Sequence, residues 1–376
     1  MKRRVFIISL AIVLILGIVA SSIAEEVYKI GAILPLTGGT AMVGEHAQKG
    51  MILATEDINT AGGIYGKKLE IVIGDSKNEP KEGVAIFHRF ASINRLPVVV
   101  SAMSSVSMAV VPLADQYKIV LATTIVSAPG ITEKSPWVFR VFMSTDSEAG
   151  AMKIFILKNM GLKKIAVLYI NDEFGRTAFE VFKKMYEAEG GKVIWSDSFE
   201  KAGIDFRSQI FKLKAAKPKG VYIIGYDKAL GIILRQIAEA KIKTRLFSFS
   251  GLPTPTVLEH AGKATEGVYF TSTQFNVENP TTKATEEFVK KYKARFGKAP
   301  NHYAAYTYDV TSIIAEAIRI GGYSAEGIKS GLSKIKGFTG VIGAITIPLS
   351  RDADFPVVVK IIRQGKPIDI EENKTK

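Results

Sequence analysis

The sequence contains no cysteine among its 376 residues. Disulfide bonds and thiol catalysis are therefore excluded, and the folded chain depends on its hydrophobic core alone. Histidine is also scarce, and none of the four residues lies within five positions of another: His46, His88, His260 and His302. A helical zinc site needs closely spaced ligands, so we expect no bound metal and no other cofactor.

Common catalytic and nucleotide-binding loops are missing as well. The chain has no G-x-S-x-G, no G-x-x-x-x-G-K-[ST] and no G-x-G-x-x-G motif. The neighbouring carboxylates Asp172 and Glu173 could serve in acid–base chemistry, but acidic residues at the start of a helix are ordinarily explained by the helix dipole. We therefore expect a protein that is not an enzyme and has no catalytic residues.

Basic residues exceed acidic ones, which gives a formal charge of +14, or +11 without Lys2, Arg3 and Arg4 (14 − 3). The lysines and arginines are spread along the whole chain, with no basic arm and no aromatic RNA-binding motif. This distribution is typical of a solvated surface. We expect no nucleic-acid partner.

The N-terminus has the composition of an export signal. "MKRR" is followed by the apolar run Val5–Ala20 of 16 residues, and small residues precede Ala24. This pattern predicts a cleavable signal peptide over residues 1–24, and hence a periplasmic or other extracytoplasmic protein. An uncleaved membrane anchor is the alternative, although the run is short for a spanning helix. A lipid anchor is not expected, because no cysteine follows the run.

Strand and helix patterns alternate from residue 28 almost to the end. "YKIGAILPL", "LEIVIGD" and "PVVVSA" are typical of buried strands, and a second series begins with "KKIAVLYI" and "GVYIIGY". Amphipathic segments with helical spacing separate them. Near-continuous apolar strands between such helices indicate parallel sheets covered on both faces. The length and the two series predict an α/β protein with two lobes, each built around a parallel sheet.

Four hydroxyls follow one of these strands directly, in "VVVSAMSSVSMAVVP": Ser101, Ser104, Ser105 and Ser107. Ligands of open parallel sheets bind outside the carboxyl ends of the strands. Serine hydroxyls and free amides at the start of the next helix would form a site for a carboxylate or phosphate. The alternative is that one serine caps the helix and the others form a turn.

Several stretches resemble the LIV-type periplasmic binding proteins of ABC transporters for branched-chain amino acids. The opening "KIGAILPLTGGTAMVGEHAQKGMILATEDINTAGGIYGKKLEIVIGD" is similar to the family's first segment, and "SAMSSVSMAVVPLADQY" to its serine-rich loop. "SAPGIT", "YINDEFGRTAFEVFKK" and "IGYDKALGIILRQ" resemble three further stretches in the same order. The resemblance covers roughly Tyr28 to Lys366.

The resemblance implies the type I periplasmic-binding-protein fold, with two Rossmann-like lobes joined by three crossings. Lobe 1 would comprise residues 27–143 plus 276–345, and lobe 2 residues 144–275 plus 346–370. The crossings would lie near Phe142–Asp146, Gln274–Asn276 and Thr346–Ser350. In such proteins the lobes close over the ligand by bending at the hinge.

The resemblance also assigns ligand-binding positions. Ser105 would hold the ligand carboxylate, with Ala102, Met103 and Ser104 lining the pocket beside it. Ser127 would add a hydroxyl and an amide, and Ile125 a backbone carbonyl. From lobe 2, Phe174 would supply an aromatic wall and Tyr226 a ring that closes over the ligand. Val43 would stand where relatives often carry an aromatic residue.

One departure from the family bears on the ligand. Amino-acid binders carry an acidic residue that pairs with the ligand ammonium, and the matching stretch here reads Ser250, Gly251 and Leu252. A buried ammonium without a carboxylate is costly. Either Asp227 substitutes for the acid, or the ligand is an apolar or aromatic acid without an ammonium. Leu252 would then be part of the apolar wall.

The function implied by the resemblance is substrate binding for an ABC importer. The partners would be a small carboxylate-bearing solute and a membrane permease, and we expect a monomer in solution. A ligand-sensing receptor domain of the same fold, responding to an amide or an amino acid, is the alternative.

Overall fold

The computed structural model describes residues 27–280 and 282–370. Within them, fourteen strands alternate with helices for most of the chain. The strands are β1 (Tyr28–Leu34), β2 (Leu69–Asp75), β3 (Val98–Ala102), β4 (Val120–Thr124), β5 (Val138–Arg140), β6 (Lys164–Ile170), β7 (Lys192–Phe199), β8 (Gly220–Ile224), β9 (Arg245–Ser248), β10 (Tyr269–Ser272), β11 (Phe338–Thr339), β12 (Ala344–Ile345), β13 (Val358–Arg363) and β14 (Lys366–Asp369).

Eleven α-helices connect these strands in the described part of the chain. They are α1 (Ala41–Thr60), α2 (Pro80–Ser92), α3 (Ser104–Tyr117), α4 (Thr145–Ile154), α5 (Glu173–Ala188), α6 (Arg207–Ala216), α7 (Asp227–Glu239), α8 (Pro255–Ala261), α9 (Lys283–Phe296), α10 (His302–Gly321) and α11 (Ala325–Leu332). A π-helical segment, Phe155–Asn159, continues α4.

The first sheet has five strands in the order β2-β1-β3-β4-β5, and every neighbouring pair is parallel. All five residues of β3 and all five of β4 are buried, which for β3 agrees with the buried strand predicted from "PVVVSA". Helix α10 packs so closely against α1 that a Cβ on Gly50 would lie 2.2 Å from the Ala304 carbonyl oxygen. The late helices therefore return to the first sheet.

The second sheet has seven strands in the order β14-β13-β10-β9-β8-β6-β7. Strands β6 to β10 are each parallel to their neighbours among these five strands, which confirms the α/β fold with parallel central sheets. Strand β13 instead runs antiparallel to β10, and β14 is antiparallel to β13. The two last strands thus extend a parallel sheet by an antiparallel edge, which apolar patterning alone does not reveal.

Buried side chains fall into separate packing regions around the two sheets. One hydrophobic cluster draws on residues 30–143 and 275–355, whereas the other two draw on 149–270 and residue 362. Ile347 and Phe355 belong to the first cluster, although both fall in the range predicted for lobe 2. The buried Arg140 guanidinium also holds Asp352, with its Nε and the Oδ1 of Asp352 2.8 Å apart. We therefore propose that the third crossing lies at residues 357–359 and not at Thr346–Ser350.

The predicted signal peptide, residues 1–24, lies outside the described residues. Among the helices of the described ranges, none has both the length and the apolar character needed to cross a bilayer.

Candidate functional site

A cavity of about 230 Å³ lies between the two packing regions and is lined from both. The carboxyl ends of β3 and β4 lead into it from the first sheet, and those of β6, β8 and β9 from the second, as expected for ligand sites of parallel sheets. The first wall contains six of the predicted residues: Val43, Met103, Ser104, Ser105, Ile125 and Ser127.

The backbone of the first wall is held in an uncommon conformation at two positions. Met103, between β3 and α3, has φ 72°, and Ile125, directly after β4, has φ 56°. The Met103 amide donates to the Ile125 carbonyl oxygen at 3.3 Å, which ties the two turns together. A β-branched residue at positive φ is strained, and such strain concentrates at binding sites. Both turns face the cavity, so the strain coincides with the site.

The serine-rich stretch divides into two pairs with different roles. Ser101 and Ser107 are buried, and their hydroxyls hydrogen-bond to each other at 2.8 Å. Ser104 and Ser105 open α3 and line the cavity, while no side chain caps this helix. The first amides of α3 and two hydroxyls are therefore directed to the cavity end of the helix, where the dipole favours an anion.

Two neighbours hold Ser105 and Ser127 of the first wall in place. Ser105 Oγ donates to Asn78 Oδ1 at 3.2 Å, and Asn78 itself lines the cavity. The Ser127 carbonyl oxygen accepts from the Thr145 amide at 3.0 Å and from its hydroxyl at 2.6 Å. Because Thr145 opens α4, Ser127 links the first wall to the first crossing.

The second wall is largely aromatic. The Phe174 ring lies 4.7 Å from that of Phe249 and 6.0 Å from that of Tyr226, measured between centroids. Asp172 caps α5, accepting from the Gly175 amide on Oδ1 at 2.8 Å, while its Oδ2 accepts the Tyr226 hydroxyl. The wall therefore combines rings packed at a tilt to each other with a hydroxyl that is already engaged by a carboxylate.

Ser250 completes the second wall and is held from behind by a buried acid. The carboxylate of Glu148, which is 3% exposed, accepts from the Ser250 amide and hydroxyl, both at 3.0 Å. The Thr271 hydroxyl donates to the same carboxylate at 2.5 Å. Burial raises the pKa of Glu148 to about 7, and these three donors only partly oppose that shift.

Three predicted residues lie outside the cavity lining. Ala102 is fully buried as the last residue of β3, and Leu252 is fully buried in the cluster around α7. Asp227 starts α7 behind Tyr226 with φ 54°, and its Oδ2 has no hydrogen-bond partner among the described residues. Burial raises the pKa of Asp227 to about 6, whereas the nearby Lys201 ammonium lowers it. Asp227 is thus close to the site without facing the cavity.

The structure also adds lining residues to which sequence reasoning gave no ligand role. They include Asn78, Phe142, Asp172, Lys201, Phe249 and Tyr303. Asp172 carried a signal, since it lies in the matched stretch two residues before Phe174, but an acid at the start of a helix is ordinary. The others come from distant positions that only the fold brings together.

Comparison of the sequence with known proteins finds a family model and relatives that cover nearly the whole chain. The family model described as "Periplasmic binding protein" matches residues 27–354. A Leu/Ile/Val-binding protein homolog 3 of Brucella melitensis is 28% identical over 363 residues, covering 96% of this chain and 89% of the relative.

Two solved structures are similar to the whole fold. The leucine binding protein LivK of Thermotoga maritima is 27% identical with a TM-score of 0.85, covering 91% of this chain and 97% of its own. An ABC-transporter solute binding protein of Rhodopseudomonas palustris, in complex with 3,4-dihydroxy benzoic acid, is 25% identical with a TM-score of 0.81, covering 92% and 96%. This chain therefore belongs to the periplasmic binding protein family and is a LIV-type substrate-binding protein of ABC transport with the type I fold.

Proposed function

We propose that the cavity binds a small solute through its carboxylate, which the first wall holds. The observation that supports this most directly is the uncapped start of α3, where Ser104 and Ser105 open into the cavity. Free amides, the Ser104 hydroxyl and the helix dipole act together on one anion there, and the Ser105 hydroxyl turns its single proton from Asn78 to the anion. Ser127, on the neighbouring turn, supplies a third hydroxyl from the same wall.

An apolar body would occupy the remaining space. Val43 borders it on the first wall, and the packed rings of Phe174, Tyr226 and Phe249 border it on the second. The cavity volume of about 230 Å³ falls below the roughly 300–1,000 Å³ of pockets for drug-sized ligands, which favours a small solute. The named ligands of the similar proteins, leucine and a dihydroxybenzoic acid, have this combination of a carboxylate and an apolar body.

We propose that the protein binds its solute without catalysing a reaction on it. Among the described residues that line the cavity there is no histidine to activate a serine. We further propose that the chain is exported by its N-terminal signal, acts as a monomer and delivers the solute to a membrane permease after the two lobes close.

Substitution of Ser105 tests the carboxylate site. Ser105→Ala should weaken the binding of leucine, isocaproate or benzoate by about tenfold, since a hydrogen bond to a charged group is lost. Isothermal titration calorimetry on refolded, ligand-stripped protein measures the change. The matched control is Ser333→Ala, because Ser333 is exposed and is not among the residues that line the cavity.

Methyl esters of the same acids provide a second control, since they keep the body and lose the charge. We expect the wild-type protein to bind them weakly. The proposal is wrong if the esters bind as tightly as the acids, or if Ser105→Ala leaves the affinity for every acid unchanged.

A further inference from the structure

The amino-terminal edge of the second sheet carries about half of the net positive charge of the chain. Strands β6, β7, β8 and β9 are parallel neighbours, and each follows a helix, so the four connecting segments meet at this edge. The segments are residues 158–164, 187–192, 214–219 and 239–245, and we call them the basic edge. Together they hold ten basic and three acidic residues, a net charge of +7 out of +14 for the whole chain. Basic residues that are spread along the sequence are thus brought together by the fold.

The strand register places like charges of the basic edge side by side. Lys164 and Lys192 are direct partners at the start of β6 and β7. On the other side of β6, the register with β8, extended back to the first residue of β6, brings Lys164 level with Lys219. The Arg245 amide donates to the Lys219 carbonyl oxygen at 3.1 Å. Neighbouring strands lie about 4.8 Å apart, and like charges at that spacing repel each other, so this row is suited to an external anion.

The protein itself does not neutralise this row. All ten basic side chains of the basic edge are exposed, and none forms an ion pair with any residue that the structure describes. The acidic Glu189 of the edge pairs instead with Lys153, which lies outside it. Farther along the same sheet, at the start of β10, Glu266 lies 3.9 Å from Arg363. The unpaired charge is therefore concentrated at β6 to β9.

An exposed aromatic ring borders the basic edge. Phe211 on α6 is 76% exposed and precedes Lys214 by three residues, which makes the two side chains neighbours on the helix surface. The core-facing residues of α6 are Ile210 and Leu213, so Phe211 belongs to the solvent face of the helix. A basic surface with an exposed aromatic residue is typical of proteins that lie at the interface of an anionic membrane. A soluble polyanion would make no use of the ring.

We propose that the basic edge, together with Phe211, docks on an anionic phospholipid surface. The cationic side chains pair with the lipid phosphates, and the ring enters the headgroup region. The ligand cavity lies at the carboxyl ends of the same strands, at the opposite end of the sheet. A docked molecule therefore remains free to take up its solute beside the membrane. This inference goes beyond the proposed function and does not depend on it.

Vesicle sedimentation tests the docking surface. The purified exported protein is mixed with vesicles of equal parts phosphatidylglycerol and phosphatidylcholine, and separately with vesicles of phosphatidylcholine alone. We expect binding to the anionic vesicles only. This binding should weaken as the salt concentration is raised, because salt screens exposed charges.

Four substitutions remove the row of charges at the strand starts: Lys164→Gln, Lys192→Gln, Lys219→Gln and Arg245→Gln. Combined in one variant, they should weaken binding to anionic vesicles by more than about a hundredfold, at roughly fivefold for each charge.

The matched control removes four exposed basic residues of the first packing region: Lys81→Gln, Lys134→Gln, Lys290→Gln and Lys336→Gln. This variant has the same net charge as the first and should bind the vesicles within about fivefold of the wild type.

Phe211→Ala tests the lipid contact itself. It should weaken vesicle binding by about tenfold, because the ring no longer leaves water for the headgroup region. Ile93→Ala is the matched control, since Ile93 is 75% exposed and lies in the first packing region, and it should have no effect.

Solute binding shows that the variants keep their fold. Calorimetry with leucine or benzoate should give the wild-type affinity in every variant, because the basic edge and the cavity lie at opposite ends of the strands. Absence of solute binding in the wild type would contradict the proposed function alone, and the vesicle result would still decide this inference. If the fourfold variant does not fold, Lys163→Gln combined with Lys243→Gln replaces it, with an expected loss of about twentyfold.

Three results would overturn the inference. Equal binding to neutral vesicles would show that charge is not required, and an equal loss in the control variant would show that the position of the charge is not. Binding to soluble polyphosphate without binding to vesicles would replace the membrane by a polyanion. Unchanged vesicle binding in Phe211→Ala would remove the contact that distinguishes a lipid surface from other anions.

Discussion

Burial makes the Glu148 carboxyl difficult to ionise, and folding therefore favours its protonated form. Its pKa is raised from 4.5 to about 7 in the folded protein. Below pH 4.5 the group is protonated in both states, and its contribution to stability is fully present. As pH rises from 4.5 to about 7 the unfolded chain releases the proton first, so stability is lost across this window and stays lower above it.

Glu148→Gln removes this titration, which predicts a pH-dependent difference between variant and wild type. The free energy of unfolding of the wild-type protein, relative to the variant, should fall by about 3 kcal/mol between pH 4.5 and 7 and change little above pH 7. Urea unfolding at several pH values measures it. Subtracting the free energy of unfolding of the variant from that of the wild type cancels the contributions of other buried groups. One such group is His302, whose pKa is lowered to about 3 by burial.

Glu180→Gln, the same substitution at an exposed position of α5, is the matched control for replacing a carboxylate by an amide. A difference between wild type and Glu148→Gln that is constant from pH 4.5 to 8 would contradict the burial argument for Glu148.

The sequence predicted those residues of the site that lie in loops matching the family. It did not predict residues that the fold brings to the site from other parts of the chain. The matched loops predicted Ser105, Ser127, Phe174 and Tyr226, and all four line the cavity. Glu148 was not predictable, because it precedes Ser250 by 102 residues and reads as an ordinary acid in the first turn of a helix. Whether these residues bind the ligand stays a prediction.

Close packing of α5 against β6 sets the position of the second wall. A Cβ on Gly175 would lie 2.0 Å from the Ile170 carbonyl oxygen. Because this oxygen belongs to the backbone, the clash can be relieved only by moving the helix or the strand. Gly175→Ala should therefore lower the free energy of unfolding by about 1–3 kcal/mol, as overpacking does. It should also weaken ligand binding, since Asp172 and Phe174 flank this contact. Thermal unfolding and calorimetry measure both effects.

The matched control is Gly150→Ala on α4, where a Cβ would meet nothing within 4 Å. Here we expect stability to be unchanged or to rise by up to about 1 kcal/mol, because alanine favours the helix. Equal effects of the two substitutions would show that the close approach at Gly175 does not limit stability.

Most elements followed from patterning, and the exceptions have physical reasons. Buried strands such as β3 and β8 carry continuous apolar runs between helices and were predicted with nearly their observed bounds. Strand β5 was missed because its three residues are too few to show a period. The antiparallel pairing of β13 was missed because strand direction depends on the path of the chain and not on which residues are buried.

The chain passes three times between the packing regions. The position proposed for the third crossing depends on one buried ion pair. Residues 347–355 stay with the first region because Arg140, 1% exposed, binds Asp352 with two hydrogen bonds and Ala128 with a third. A buried guanidinium needs these acceptors. The resemblance placed the crossing earlier, since the sequence around Thr346–Ser350 gives no sign of this ion pair.

Closure of the two lobes on the ligand is the prediction that belongs to the whole molecule. Helices α3 and α5 approach each other across the cavity, so Gln116→Cys with Glu180→Cys places two fluorophores on opposite sides. Because the natural chain has no cysteine, only these positions are labelled. A saturating acid from the calorimetric series should raise the energy-transfer efficiency, since binding favours the closed form. The pair Gln116→Cys with Lys81→Cys lies on one side and should not change. If neither pair responds to a bound ligand, the solute enters a cavity that is already closed, and the hinge proposal is wrong.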